Sequence, residues 1–223
     1  MNEAHTAVLL SAGLDSAVLA VAEARSSTVH PIYVRAGLAW EAQELEAVNR
    51  LLRAPACATL APLTRLTFTV RDLYPASHWA LRGEPPAFDT PDEDVYLTGR
   101  NVVLLSKAAI YAAHHGIGRI ALGVLAGNPF PDATRGFFAA MGRALSLGLA
   151  HDITVDAPFA HMRKADVIRL GVELGVPLHV TLSCMNPREG RHCGHCSKCR
   201  ERRDAFREAG HTDPSVYAST PRR

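Results

Sequence analysis

The stretch Thr6-Ala7-Val8-Leu9-Leu10-Ser11-Ala12-Gly13-Leu14-Asp15-Ser16-Ala17-Val18-Leu19-Ala20 decides how this chain is read. Residues 6–10 form an apolar run of buried-strand length, and from Ser16 to Arg25 the sequence is helical and rich in Ala and Leu. Between them lies a turn of small and hydroxylated residues. Small residues let backbone N–H groups approach an anion closely, and the N-terminus of the following helix adds a favourable dipole. Ser11 and Ser16 offer further hydroxyl donors. The same residues also suit an ordinary capped turn with Asp15 or Ser16 as N-cap. No Gly-Lys-Ser/Thr ending is present, so this is not a Walker loop.

The strand–helix alternation continues outward. Strands are expected at 28–34, 63–70, 119–124 and 152–157. Helices are expected at 40–53, 101–115, 134–149, 164–174 (closed by Gly175 and Pro177) and near 199–209. Such alternation implies an α/β, Rossmann-like parallel sheet with helices on both faces, and ligands at the C-terminal strand ends. Residues 71–98 hold Pro75, Pro85, Pro86 and Pro91, with acids at Glu84, Asp89, Asp92, Glu93 and Asp94, which reads as a long loop or lid. The expected organisation is an α/β domain over 1–178, a cysteine-bearing segment and basic helix over 179–210, and a loosely held polar tail over 211–223 with Pro214 and Pro221.

Composition bounds the function. The chain has 223 residues, 48% hydrophobic and 21% charged, which are globular values. A net charge of +2 (24 Lys+Arg against 22 Asp+Glu) is not that of a strongly basic nucleic-acid binder. No uncharged run is long enough to span a bilayer, and Met1-Asn2-Glu3-Ala4-His5 has no basic n-region, so a cytoplasmic protein is expected.

Four of the five cysteines, Cys184, Cys193, Cys196 and Cys199, crowd near the C-terminus, while Cys57 stands alone. An odd count with this spacing argues for metal rather than a disulfide framework. Four thiolates match a closed tetrahedral Zn²⁺ knuckle. An iron–sulfur cluster and a redox Cys-x2-Cys pair are the competing readings. With the cysteines supplying four ligands, His192 and His195 are expected to be solvated. Six cations flank the ligands: Arg188, Arg191, Lys198, Arg200, Arg202 and Arg203. They read as charge balance for a net −2 zinc–thiolate centre, or as a patch for an anionic partner; no aromatic residues interleave them for base stacking.

Ser11-Ala12-Gly13-Leu14-Asp15-Ser16 resembles the Ser-Gly-Gly-x-Asp-Ser loop of the PP-loop ATPases, the N-type ATP pyrophosphatases, with Ala12 in place of Gly. A methyl group is comfortable there only at negative φ. Beyond the loop, the chain carries in order Gly99-Arg100-Asn101, Leu122-Gly123, Pro131-Asp132, Lys164-Ala165-Asp166-Val167-Ile168 and the cysteine terminus. The ordered set, over about residues 7–206, resembles the QueC/ExsB family of 7-cyano-7-deazaguanine synthases. That resemblance implies adenylation of 7-carboxy-7-deazaguanine by ATP with Mg²⁺, displacement of AMP by ammonia, then dehydration of the amide to the nitrile with a second ATP. It also implies a homodimer.

By the same resemblance, residues 9–16 (Leu9, Leu10, Ser11, Ala12, Gly13, Leu14, Asp15 and Ser16) and Gly123 would line the nucleotide site, with Asp15 helping to hold Mg²⁺. Arg100 and Lys164 would contact phosphate or carboxylate. Their plainer readings are a surface cation beside a helix start and a solvated lysine in a first turn, where a cation is unfavourable. Asn101 and Asp132 would touch substrate, or cap a helix and occupy a turn. Trp40 and Glu41 read as core and helix start. The chain departs from the family pattern at 35–41 and 133–135, where a substrate base could be read. A divergent adenylating ligase for another carboxylate, amide or tRNA base, and a non-catalytic nucleotide-binding zinc module, are the other readings.

Overall fold

The computed structural model describes residues 4–219; Met1, Asn2 and Glu3 of the expected leaderless start and Pro221 of the expected tail lie outside the described residues. β1 (His5–Leu9), β2 (Thr28–Arg35), β3 (Thr64–Thr67), β4 (Arg119–Ala121) and β5 (Thr154–Asp156) form one sheet in the order β3-β2-β1-β4-β5. Every pairing is parallel, with Val8 opposite Pro31 on one side and Ala121 on the other. The central strand is the most apolar because both of its faces are covered. Val8 packs with Val29 and Tyr33 in one core, and Ala7 with Ile32 and Ile120 in the other.

One core receives α1 (Leu14–Glu23), α2 (Glu41–Leu51), α6 (Lys164–Glu173) and α7 (Ser197–Ala209); the other receives α4 (Arg100–His114) and α5 (Arg135–Leu149). Each fully buried Leu or Ile here contributes about 1.5–3 kcal/mol. Strand order reverses at β1, so the loops after β1 and β4 diverge and leave a crevice at their C-terminal ends. The predicted fold class is therefore the observed one.

Boundaries differ where regular pairing stops early. Alternation through Val70 persists beyond β3 only as single bonds, Phe68 N to Arg35 O and Val70 N to Ala36 O. Residues 71–98 are not a structureless loop. They contain α3 (Trp79–Arg82) and a 3-10 turn over Asp92–Val95, with Ala80, Val95 and Leu97 buried. Trp79 stacks on buried Trp40 at 5.8 Å between ring centroids, which supplies the apolar contact that the proline-rich composition conceals.

The described part of the tail, residues 211–219, is also held, contrary to its polar composition. His192 N donates to Val216 O and Ala218 N to His192 O, at 3.0 and 2.8 Å. Asp213 pairs with Arg202, whose side chain is 1% exposed. His192 is likewise not solvated: it is buried, and its Nε2 accepts from Ser183 N at 3.2 Å. Burial pushes its imidazole down to about 4, so it serves as a neutral acceptor.

Candidate nucleotide site and metal centre

The candidate phosphate loop turns on Ser11, Gly13 and Ser16. Gly13 is the N-cap of α1, with no side-chain cap bond, so neither Asp15 nor Ser16 plays the capping role open to it in the sequence. Ser16 Oγ instead donates to Gly13 O at 3.1 Å and accepts from Ser11 N at 3.2 Å, and Gly13 N donates to Ser11 Oγ at 3.3 Å. Ala12 has φ +54°, the left-handed conformation that its methyl group disfavours. The expectation of a negative φ fails because Ala12 is fully buried and its carbonyl accepts from Leu182 N at 2.8 Å, in the segment leading into the cysteines. Ala12→Gly is expected to stabilise the protein by about 0.5–1 kcal/mol, the relieved strain exceeding the added chain entropy. A higher denaturant midpoint at unchanged slope checks this.

Gly123 follows β4 and backs the loop. A Cβ there would lie 3.0 Å from Asp15 C and Ser16 N. Gly123→Ala is expected to push the loop and raise the KM for ATP severalfold while moving the melting temperature by only a few degrees. Kinetics and calorimetry on the same preparation test it.

Asp15 lies in the first turn of α1. Its Oδ2 pairs with Lys164 Nζ at 3.2 Å, while its Oδ1 is buried with no hydrogen-bond partner among the described residues. Burial pushes its carboxyl upward, against the pull of the lysine. Lys164 opens α6 and is not solvated; its Nζ also meets Glu201 Oε1 at 2.5 Å. Burial alone would lower it, but Asp15 and Glu201 outweigh that and keep the ammonium charged. Two carboxylates thus offset the unfavourable first-turn position.

Loop and neighbours enclose a cleft of about 180 Å³ whose lining includes Ser11, Asp15, Glu44, Arg100 and Asn101. Arg100 begins α4, and its buried Nε has no hydrogen-bond partner among the described residues. Asn101 N donates to Asp132 Oδ2, and Asn101 Nδ2 to Asp132 O, both at 2.9 Å. Asp132 therefore stands behind Asn101 and completes the N-terminus of α4. Burial pushes Glu44 up to about 7, and it accepts from Tyr33 Oη at 2.8 Å. Glu44, Tyr33 and Glu201 were not singled out in the sequence. Glu44 sits on the buried stripe of an amphipathic helix, a position that a charged residue seldom takes unpaired; Glu201 has no such signal. A larger cleft of about 1170 Å³ runs between α5, β5 and the loops after β4 and β5, meeting the first at Val124.

The two departures from the family pattern carry structural contacts. Glu41 accepts from Ala36 N and Gly37 N, and Trp40 packs on Trp79. Thr134 caps α5, its Oγ1 accepting from Phe137 N at 3.1 Å.

Cys184, Cys193, Cys196 and Cys199 are buried, with their sulfurs within 4.8 Å of one another. Separations are 4.0 Å for Cys184–Cys196, 3.9 Å for Cys193–Cys199 and 3.5 Å for Cys196–Cys199. A tetrahedron of sulfurs around one Zn²⁺ has edges of about 3.8 Å, so the donors fit a single zinc and are too close to surround several irons. Backbone N–H groups of Asn186 and Cys193 point at Cys184 Sγ at 3.3 and 3.2 Å, which stabilises thiolate charge. The flanking cations are mostly internal ties rather than a patch. Arg202 Nη1 donates to Thr181 Oγ1 at 2.8 Å and its Nη2 to Leu178 O at 2.9 Å; Lys198 pairs with Asp92 and Glu201; Arg200 Nη2 donates to Thr90 O at 3.0 Å.

A parallel sheet with a phosphate loop at its switch point and a four-cysteine knuckle beside that loop defines a Rossmann-like, PP-loop type of nucleotide-binding protein. Comparisons narrow the class. The family model described as "Queuosine biosynthesis protein QueC" matches residues 5–210. The chain is 36% identical over 229 residues to the 7-cyano-7-deazaguanine synthase of Anaeromyxobacter dehalogenans, covering 97% of each protein. It is 36% identical over 220 residues to the protein of that name from Methanothrix thermoacetophila, covering 94% of this chain and 96% of that one. Among solved structures, a predicted subunit of tRNA methyltransferase from Methanocaldococcus jannaschii shares the fold, with a TM-score of 0.50 at 14% identity over 97% of this chain and 93% of that chain. The chain belongs to the QueC family, whose members are PP-loop, ATP-dependent ligases. Among the described residues, no helix is long and apolar enough to cross a membrane.

Proposed function

We propose that this protein converts 7-carboxy-7-deazaguanine and ammonia to 7-cyano-7-deazaguanine through two adenylations. The observation that carries this reading is the buried, unpartnered Oδ1 of Asp15 beside the phosphate loop, in a chain of this family. A buried carboxylate oxygen without a partner is costly, and a cation or donor brought by the substrate would relieve that cost. Mg²⁺, when bound, would neutralise triphosphate charge and favour departure of pyrophosphate.

Ser11, Gly13 and Ser16 cradle the β- and γ-phosphates, with Leu9, Leu10, Ala12, Leu14 and Gly123 shaping the wall. Lys164 donates to phosphate oxygens. Arg100, with its unpartnered Nε, holds the acceptor carboxylate or the α-phosphate. Asn101 orients substrate, and Asp132 keeps Asn101 and α4 in place. The acceptor enters where the two clefts meet at Val124. Its carboxylate oxygen attacks Pα, and the bond from Pα to the bridging oxygen breaks. Ammonia then attacks the activated carbon, loses a proton and expels AMP. The resulting amide oxygen attacks Pα of a second ATP and releases pyrophosphate, and loss of AMP and both amide protons then leaves the nitrile. Zn²⁺ at Cys184, Cys193, Cys196 and Cys199 is structural, its four ligands leaving no open position.

The protein is a cytoplasmic homodimer in this reading, and the α/β, knuckle and tail segments act as one unit. Cys57 is buried in the core and burial pushes its thiol up to about 11, which does not favour sulfur transfer to a tRNA base. Pyrophosphate release from ATP should require 7-carboxy-7-deazaguanine, with the nitrile appearing once ammonia is supplied. Equal release with unrelated carboxylates would overturn the substrate, and absence of release despite ATP binding would overturn the reaction.

A further inference from the structure

Glu201 lies on α7, two residues past the knuckle's last cysteine, yet both its oxygens are engaged outside the knuckle's sulfur cluster. Oε1 meets Lys164 Nζ at 2.5 Å and Oε2 meets Lys198 Nζ at 2.8 Å. Lys164 continues to Asp15 Oδ2 at 3.2 Å, and Lys198 to Asp92 Oδ1 at 3.2 Å. Charges therefore alternate without a gap from the phosphate loop, through α6 and α7, to the 71–98 segment. That segment is tied to the knuckle a second time, by the Ala87–Cys196 bridge and the Arg200–Thr90 bond.

We propose that Glu201 is a positioning residue for the nucleotide phosphates: it holds Lys164 between loop and knuckle, so that the lysine does not close fully onto Asp15. The proposal rests on the reading of Asp15 and Lys164 as phosphate-site residues. An ammonium has three donors and no acceptor. Two meet Asp15 and Glu201, which leaves one for a phosphate oxygen. The shared lysine meets Asp15 through Oδ2, and Oδ1 stays buried without a hydrogen-bond partner among the described residues, which leaves it for a cation brought with the phosphates. Glu201 is not needed merely to dock α7 on α6. Arg163 pairs with Glu208, and Arg169 Nη2 donates to Glu208 O at 2.7 Å, at another point along the same helix pair.

The test uses the zinc-loaded full chain and reads binding of Mg²⁺ with α,β-methylene-ATP by calorimetry, together with zinc content and melting. Glu201→Gln should retain zinc and fold, and weaken analogue binding about tenfold. Lys164→Met should weaken it comparably, and the double variant should be no weaker than Lys164→Met alone. Glu201→Asp, which keeps the charge, should recover part of the loss. Three outcomes would overturn the proposal: Glu201→Gln binding like the parent while Lys164→Met is impaired, losses that add in the double variant, or zinc lost in step with binding. Lys164→Met binding like the parent is a separate failure, that of the phosphate role of Lys164.

Discussion

Asp15→Asn is expected to reduce pyrophosphate release by about 10³-fold, near the upper end of what removal of a single transition-state charge partner costs. The substitution preserves shape and still allows a contact to Lys164, so the fold should persist. What disappears is the negative charge on the buried oxygen that has no protein partner. With Asn, Lys164 keeps one full carboxylate, Glu201, and the cation at the phosphates loses its anionic contact. Single-turnover release with saturating ATP separates this from weaker binding. Activity within about threefold of the parent would remove Asp15 from the chemistry.

Cys199→Ser is expected to have the largest effect on stability. A structural zinc site supplies about 10–16 kcal/mol of apparent binding free energy, as much as or more than the net stability of a whole domain. Cys199 is fully buried at the start of α7, so its loss should free α7 and the segment that pairs with His192. The effect should reach the nucleotide site, since Leu182 N holds Ala12 O and Glu201 holds Lys164. Hydrogen exchange should rise over 181–219 and over the phosphate loop together, both in the variant and in the parent treated with chelator. Increased exchange confined to the cysteine segment would show that knuckle and loop are energetically separate.

Residues with a local signal were legible in advance. The β1-to-α1 stretch announces itself through apolar run, small-residue turn and helix, and Gly123 through its place after a strand. The cysteines are legible because x2 spacing lets a short chain wrap one ion. Lys164 was legible as a candidate through the ordered resemblance, although its first-turn position argued against it. The carboxylates that reverse that argument come from α1 and α7, far away in sequence. Asp132 was legible as a candidate but not as a partner of Asn101, since that bond joins the first turn of α4 to a 3-10 turn 31 residues further on.

The sequence by itself determined the parallel α/β class, the position of the phosphate loop and the four thiolates, because strand period, turn chemistry and ligand spacing are local properties of the chain. Only the tertiary structure decided the left-handed φ of Ala12, the order in residues 71–98 and the tail, and the run of charges from Asp15 to Asp92. Each of these depends on a hydrogen bond, ion pair or ring contact between segments distant in sequence. The free energy of such contacts comes from burial and charge pairing that exist only once the sheet and its helices have brought them together.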